Sequence, residues 1–148
     1  MKISIGSDHA GFDQKEKLAA YLVSCGHEVH DLGPFSDDRV DYPDYAQLVC
    51  ESIQSGEADR GVLVCGTGIG MAIAANKMRG IRAANVTCAE FAELSREHND
   101  CNVITVSGRF VSLEDNERIL DAFLTMEFGG GRHAGRVEKM MALEEVSR

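Results

Sequence analysis

Residues 60–70, RGVLVCGTGIG, decide how the rest of the chain is read. An apolar run from Val62 to Val64 ends at Cys65. Glycines at 66, 68 and 70 follow, and Met71, Ala72, Ile73, Ala74 and Ala75 then open a helical pattern. This is a strand, a glycine turn and a helix start. The glycines let the backbone bend tightly and approach a ligand closely, and the unpaired amides that open a helix point the same way, so the turn can hold an anion. Cys65 ends the strand beside those amides, where the helix dipole and hydrogen bonding both favour a thiolate. It is the candidate reactive group.

Working outward, the same unit recurs. Lys2 to Gly6 reads as a strand followed by the polar loop Ser7, Asp8, His9, Ala10, Gly11, and Phe12 to Cys25 has helical spacing closed by Gly26. Glu28 to Leu32 alternates like a strand, a polar loop runs through Pro43, and Tyr45 to Ile53 reads as a helix. The helix after the glycine turn is expected to run to about Met78. Ile81 to Val86 reads as a strand, Cys88 to Glu97 as a helix, Asn102 to Ser107 as a fifth strand before Gly108 and Arg109, and Leu113 to Leu124 as a helix. Gly129 to Gly131 form a break, and Arg132 to Val146 has helical spacing with much charge. Strands alternating with helices at this spacing imply right-handed crossovers and a parallel sheet covered on both faces, in one domain spanning residues 1–148. Ligands in such folds sit beyond the carboxyl ends of the strands. That edge is expected to carry Asp8 and His9, Cys65 with its turn, and Arg109.

Composition narrows the function classes. A chain of 148 residues, 44% apolar and 26% charged, builds a real core, and its apolar runs are too short to span a membrane. A net charge of −9 argues against nucleic acid or an anionic membrane as main partner, because both select basic surfaces. The first residues lack the apolar stretch of a signal peptide, and five cysteines form no CxxC pair and leave one over, so reduced thiols in a cytoplasmic location are expected. Cys25, Cys50, Cys88 and Cys101 read as inert buried hydrophobes.

GTGIG alone is a weak signal. A dinucleotide fingerprint wants a small residue where Met71 stands, a P-loop wants Lys followed by Ser or Thr, and a cysteine phosphatase loop wants arginine at position 71. Arg132 and Arg136 lie four apart and share a face if the tail is helical. Two arginines can grip a phosphate, although a solvated helix face fits the spacing equally well. His98 and Asn99 are likewise open to a capping or surface role, His27, His30 and His133 carry no motif, and paired metal-ligand spacing is absent. A non-catalytic module that binds a phosphorylated small molecule, sugar phosphate or nucleotide, would keep the arginines and amides but have no use for Cys65.

Taken in order, SDHAGF near the start, DYPDYA at 41–46, CGTGIG at 65–70, AANK at 74–77, GIRAA at 80–84, SREHND at 95–100 and GGGRHAGRV at 129–137 resemble the ribose-5-phosphate isomerase B family. Its wider circle includes allose-6-phosphate and galactose-6-phosphate isomerases. The resemblance runs over nearly the whole chain. It implies a three-layer Rossmann-like α/β sandwich with a five-stranded parallel sheet and a C-terminal helical tail. It also implies a metal-independent aldose-ketose isomerase of the pentose phosphate pathway that uses no cofactor. Cys65 matches the family's base and His98 the acid that opens the sugar ring, and the turn amides with the Thr67 hydroxyl would stabilise the developing oxyanion. Asp8, His9, Gly66, Thr67, Gly68, Ile69, Gly70, Asn99, Arg109, Arg132 and Arg136 match its substrate-binding positions.

One geometric expectation follows from the strand reading. Cys65 ends a strand whereas His98 and Asn99 precede one, so a parallel sheet puts them on opposite edges, roughly 17 to 20 Å apart at about 3.3 Å per residue. Side chains cannot bridge that within one subunit. His98 and Asn99 are therefore expected to enter the site from a second subunit of a two-fold homodimer, the family's dimeric or tetrameric habit agreeing.

Overall fold

The computed structural model describes residues 1–146. Among them, strands and helices alternate as β1 (Lys2–Ser7), α1 (Phe12–Ser24), β2 (Glu28–Asp31), α2 (Tyr42–Gln54), β3 (Arg60–Cys65), α3 (Ile69–Ala75), β4 (Ala83–Asn85), α4 (Ala89–Asn99), β5 (Val103–Ser107) and α5 (Leu113–Thr125). A 3-10 turn at Gly131–His133 then leads into α6 (Ala134–Val146). All strand pairs are parallel, in the order β2-β1-β3-β5-β4.

The two-residue period of the strands divides the core between the faces of the sheet. Ile3, Ile5, Val62, Val64, Ile104 and Val106 point to one face, against Leu18 and Leu22 of α1 and Ile119, Leu120 and Phe123 of α5. Leu63, Cys65 and Val103 point to the other, against Val49 and Cys50 of α2 and Met71 and Ala75 of α3. The expected three-layer Rossmann-like sandwich is present, with α6 as its tail. β5, fully buried, lies inside the sheet, while the three-residue β4 takes the edge. A continuous apolar strand needs cover on both faces, and VITVS has it.

Several boundaries depart from the sequence reading for local reasons. α2 begins at Tyr42, three residues early, because Pro43 occupies its first turn, where the missing N–H is no loss. α3 stops at Ala75 rather than Met78. Its next residue, Asn76, turns its side chain to Ala83 instead, donating from Nδ2 to the carbonyl and accepting from the amide through Oδ1, both at 2.8 Å. α4 runs on to Asn99 and ends at Asp100, a left-handed residue (φ 48°). The Asp100 carboxylate is held by Arg96 at 2.7 Å and Arg82 at 2.9 Å. His98 and Asn99 thus sit in a last helical turn rather than beyond it.

The Lys15 side chain is buried completely. Lys15 Nζ donates to Asp31 Oδ2 and Glu16 Oε1, each at 2.6 Å, and to the Pro34 carbonyl at 2.9 Å, with the rings of Phe12 and Phe35 beside it. A buried ammonium persists only when its donors are satisfied, and this set ties α1 to the loop that leaves β2.

Candidate active site

The chain leaves β1 outward to β2 and returns past it to β3, so the crevice lies at the carboxyl ends of β1 and β3. Three loops meet there. Gly11, after β1, lies so close to β3 that a Cβ on it would stand 2.4 Å from the Val64 carbonyl oxygen. The Gly108 amide donates to the Cys65 carbonyl at 2.8 Å and the Arg109 amide to the Gly66 carbonyl at 3.3 Å, which fastens the β5 loop to the glycine turn. The structure therefore brings together Asp8, His9, Cys65, Gly66, Thr67, Gly68, Ile69, Gly70 and Arg109. Asp8 is buried, its Oδ1 accepting from the Gly11 amide at 2.9 Å. His9 Nδ1 lies 3.2 Å from the Val40 carbonyl oxygen and 3.4 Å from the Val40 amide nitrogen, which ties the loop after β1 to the segment before α2.

The glycine turn is shaped by its ties. Cys65, only 5% exposed, accepts on Sγ from the Gly68 amide at 3.1 Å. Gly68 is left-handed (φ +81°), and a Cβ there would stand 2.4 Å from Asn85 Oδ1, so only glycine closes the loop. Beneath it, two buried hydroxyls of β5 face the turn: Ser107 Oγ donates to the Gly66 carbonyl at 2.7 Å and Thr105 Oγ1 to the Gly68 carbonyl at 2.9 Å. With those carbonyls drawn inward, the peptide dipoles are fixed, and the amides of Gly66, Thr67 and Gly70 are not used by these bonds. Thr67 Oγ1, exposed, accepts from the Ile69 amide at 3.2 Å and keeps its own proton to donate. Thr105 and Ser107 escaped the sequence reading because NVITVS looks like any buried strand; the alternation of hydroxyls on its α3 face is the signal.

The remaining expected residues form a second group elsewhere. His98 and Asn99 end α4, at the amino edge of β5, whereas Cys65 pairs with Ser107 at the carboxyl edge. The four steps from Val103 to Ser107 alone span about 13 Å. The tail joins this second group. The Gly129 amide donates to the Glu97 carbonyl at 2.9 Å, and the His133 ring stacks on His98 with centroids 4.3 Å apart and planes 13° from parallel. Arg132, in the 3-10 turn, and Arg136, in the first turn of α6, are both exposed at this end. His133, without a motif in the sequence, is thus part of the group. A cleft of about 830 Å³ borders it, lined by Asn99, Met78, Ile81, Met140 and Met141 among others; it lies at the α6 side and not at Cys65.

All five cysteines are free, and two correct the sequence reading: Cys25 and Cys88 are exposed, while Cys50 and Cys101 are buried. Cys25 stands just past the end of α1 and Cys88 just before the start of α4, both outside the packed layers. Burial pushes the Cys50 thiol up to about 12 and the Cys101 thiol up to about 11. Both therefore stay protonated at pH 8, and thiolates are the reactive form. Iodoacetamide at that pH is expected to modify Cys25 and Cys88 of the native protein and spare Cys50 and Cys101, read by peptide mass mapping. Early labelling of either buried thiol would contradict this.

Among the described residues no cluster of His, Cys, Asp or Glu could hold a metal ion, and no helix is long and apolar enough to cross a membrane. Residues 3–140 match the ribose/galactose isomerase family. The chain is 49% identical over 146 residues to ribose-5-phosphate isomerase B of Escherichia coli (strain K12), covering 97% of each. It superposes on ribose-5-phosphate isomerase B of Clostridium thermocellum with a TM-score of 0.98, at 48% identity over all of both chains. It superposes on the Mycoplasma genitalium enzyme with bound ribulose-5-phosphate with a TM-score of 0.92, at 41% identity over 97% of this chain and 96% of the other. With the match running from β1 through the glycine turn to both tail arginines, the chain belongs to the ribose/galactose isomerase family.

Proposed function

We propose that this protein interconverts ribose 5-phosphate and ribulose 5-phosphate as an aldose-ketose isomerase. The observation that carries the reading is Cys65, its sulfur set against the Gly68 amide at the carboxyl edge, beside a braced turn with amides to spare. The relatives' names and the ribulose-5-phosphate complex of the Mycoplasma genitalium protein supply the substrate.

The steps follow from the groups available. The furanose opens when His98 gives a proton to the ring oxygen: the C1–O4 bond breaks, C1=O forms and the O1 proton passes to solvent. The Cys65 thiolate then takes the proton from C2, and the electron pair moves to give an enediolate with its charge on O1. Amides of the turn stabilise that oxyanion, an effect worth about 2.7 to 4 kcal/mol for one donor. The Thr67 hydroxyl relays a proton from O2 to O1, and the Cys65 thiol returns its proton to C1 as C2=O forms, which regenerates the thiolate. Asp8, His9 and Asn99 hold the sugar, and Arg109, Arg132 and Arg136 its phosphate.

The working unit in this reading is a homodimer, the second protomer lending His98, Asn99, Arg132 and Arg136 to the Cys65 of the first. Support comes from the length of β5 between the two groups and from the tie of the tail to α4, which makes both arginines travel with His98. Ile69 and Ile73, 53% and 60% exposed on α3 beside the turn, are apolar surface that a second copy would cover. The free thiols fit a reducing cytoplasm.

The test is conversion of ribose 5-phosphate against allose 6-phosphate at equal concentration. The expected result is faster turnover of the five-carbon sugar. Faster turnover of allose 6-phosphate would keep the chemistry and change the substrate, and turnover of neither would overturn the reading.

A further inference from the structure

The His98–His133 stack serves no step above. Among the described residues no hydrogen bond holds the His98 imidazole: the nearest carboxylate oxygen, Glu97 Oε2, is 3.6 Å from Nε2, beyond hydrogen-bond reach. What lies against the ring is the face of His133. His133 is itself fixed, its amide donating to the Gly130 carbonyl at 2.9 Å inside the 3-10 turn. Gly129 permits the approach, since a Cβ there would stand 3.1 Å from the Glu97 carbonyl oxygen.

We propose that His133 is a positioning residue for sugar-ring opening, its imidazole face holding the His98 ring in the orientation from which it protonates the ring oxygen. The inference rests on the role given to His98 above. Two parallel imidazoles in contact cannot both carry a proton cheaply. Partial burial, then His98, Arg132 and Arg136, hold His133 below the usual histidine range against the opposing pull of Glu97. A neutral His133 face adds no positive charge against the His98 ring. Stacking also restricts rotation of the His98 ring without occupying its nitrogens, as an acid that must reach the substrate requires.

Chemistry separates this role from phosphate binding or general stability. Ribose 5-phosphate is cyclic and must be opened. Ribulose 5-phosphate, its O5 esterified, stays open-chain, so exchange of its C1 proton with solvent deuterium needs no ring-opening acid. His133→Ala is expected to lower kcat/KM for ribose 5-phosphate by about 10- to 100-fold, the scale of a misplaced catalytic group, while leaving the deuterium exchange rate of ribulose 5-phosphate unchanged. His133→Phe, which keeps a flat ring on His98, is expected to restore most of the loss. An equal fall in both reactions would assign His133 to phosphate binding or folding and overturn the proposal, as would no change in either or no rescue by Phe. His98→Asn run alongside tells the two readings apart. If it fails to slow ribose 5-phosphate selectively, His98 is not the ring-opening acid and the proposal falls with that reading. If it does and His133→Ala does not, only the positioning role falls.

Discussion

Cys65→Ala is expected to reduce kcat for ribose 5-phosphate by roughly 10² to 10⁴-fold, the range typical of a general acid-base group, with little change in KM. In the proposed mechanism the substrate is held by the arginines, the loop after β1 and the turn amides, none of which the substitution removes. With one thiolate proposed to take the proton from C2 and return it to C1, conversion should fall equally in both directions. Deuterium exchange at C1 of ribulose 5-phosphate should fall with it. The side chain is small and sits at the rim of its core cluster, so the variant should fold and keep most of its thermal stability, which separates a chemical loss from a structural one. Exchange that survives the substitution would assign the base to another residue.

How much of this could be read from the sequence depended on whether the signal was local. The strand, turn and helix around Cys65 were legible because the apolar run, the alternate glycines and the helical spacing each act within a few residues. The parallel sheet followed from alternation and crossover handedness. Strand order did not: that β5 lies inside β4 is decided by which strand both helical layers can cover, a property of packing. The start of α2 was misplaced because Pro43 looks like a loop residue unless it is given the first turn of the helix, and α3 was drawn too long because Asn76 ends it through a side-chain contact with Ala83, seven residues on. The hydroxyls of Thr105 and Ser107 gain meaning only once the sheet sets them under the turn, about 40 residues away in sequence. His133 could not be singled out, since its partner lies 35 positions earlier and only the fold of the tail against α4 makes them neighbours. Cys25 and Cys88 were misread for the complementary reason: cysteine is apolar by type, but the ends of α1 and α4 offer no core to enter.

The separation of the two residue groups also organises the account as a whole. Asp8, His9, Cys65, the turn and Arg109 lie together at the carboxyl edge, one half of the proposed site. His98, Asn99, Arg132, His133 and Arg136 lie together at the amino edge of β5, the other half of the proposed site. A proton donor and a base acting on one five-carbon sugar must lie within a few ångströms of it, so under the proposed mechanism each group would take its complement from another protomer.

The most direct measurement of that claim mixes Cys65→Ala and His98→Asn proteins, each nearly inactive on ribose 5-phosphate alone, under conditions in which subunits exchange. In a mixed dimer, the Cys65 of one protomer meets the His98 of the other, which makes one intact site, while the second site lacks both. Random reassortment of equal amounts should return about one quarter of wild-type activity, since half of the dimers are mixed and each has one of its two sites. Mixed dimers demonstrated by native mass spectrometry, with no activity regained, would show that each site is built within a single chain.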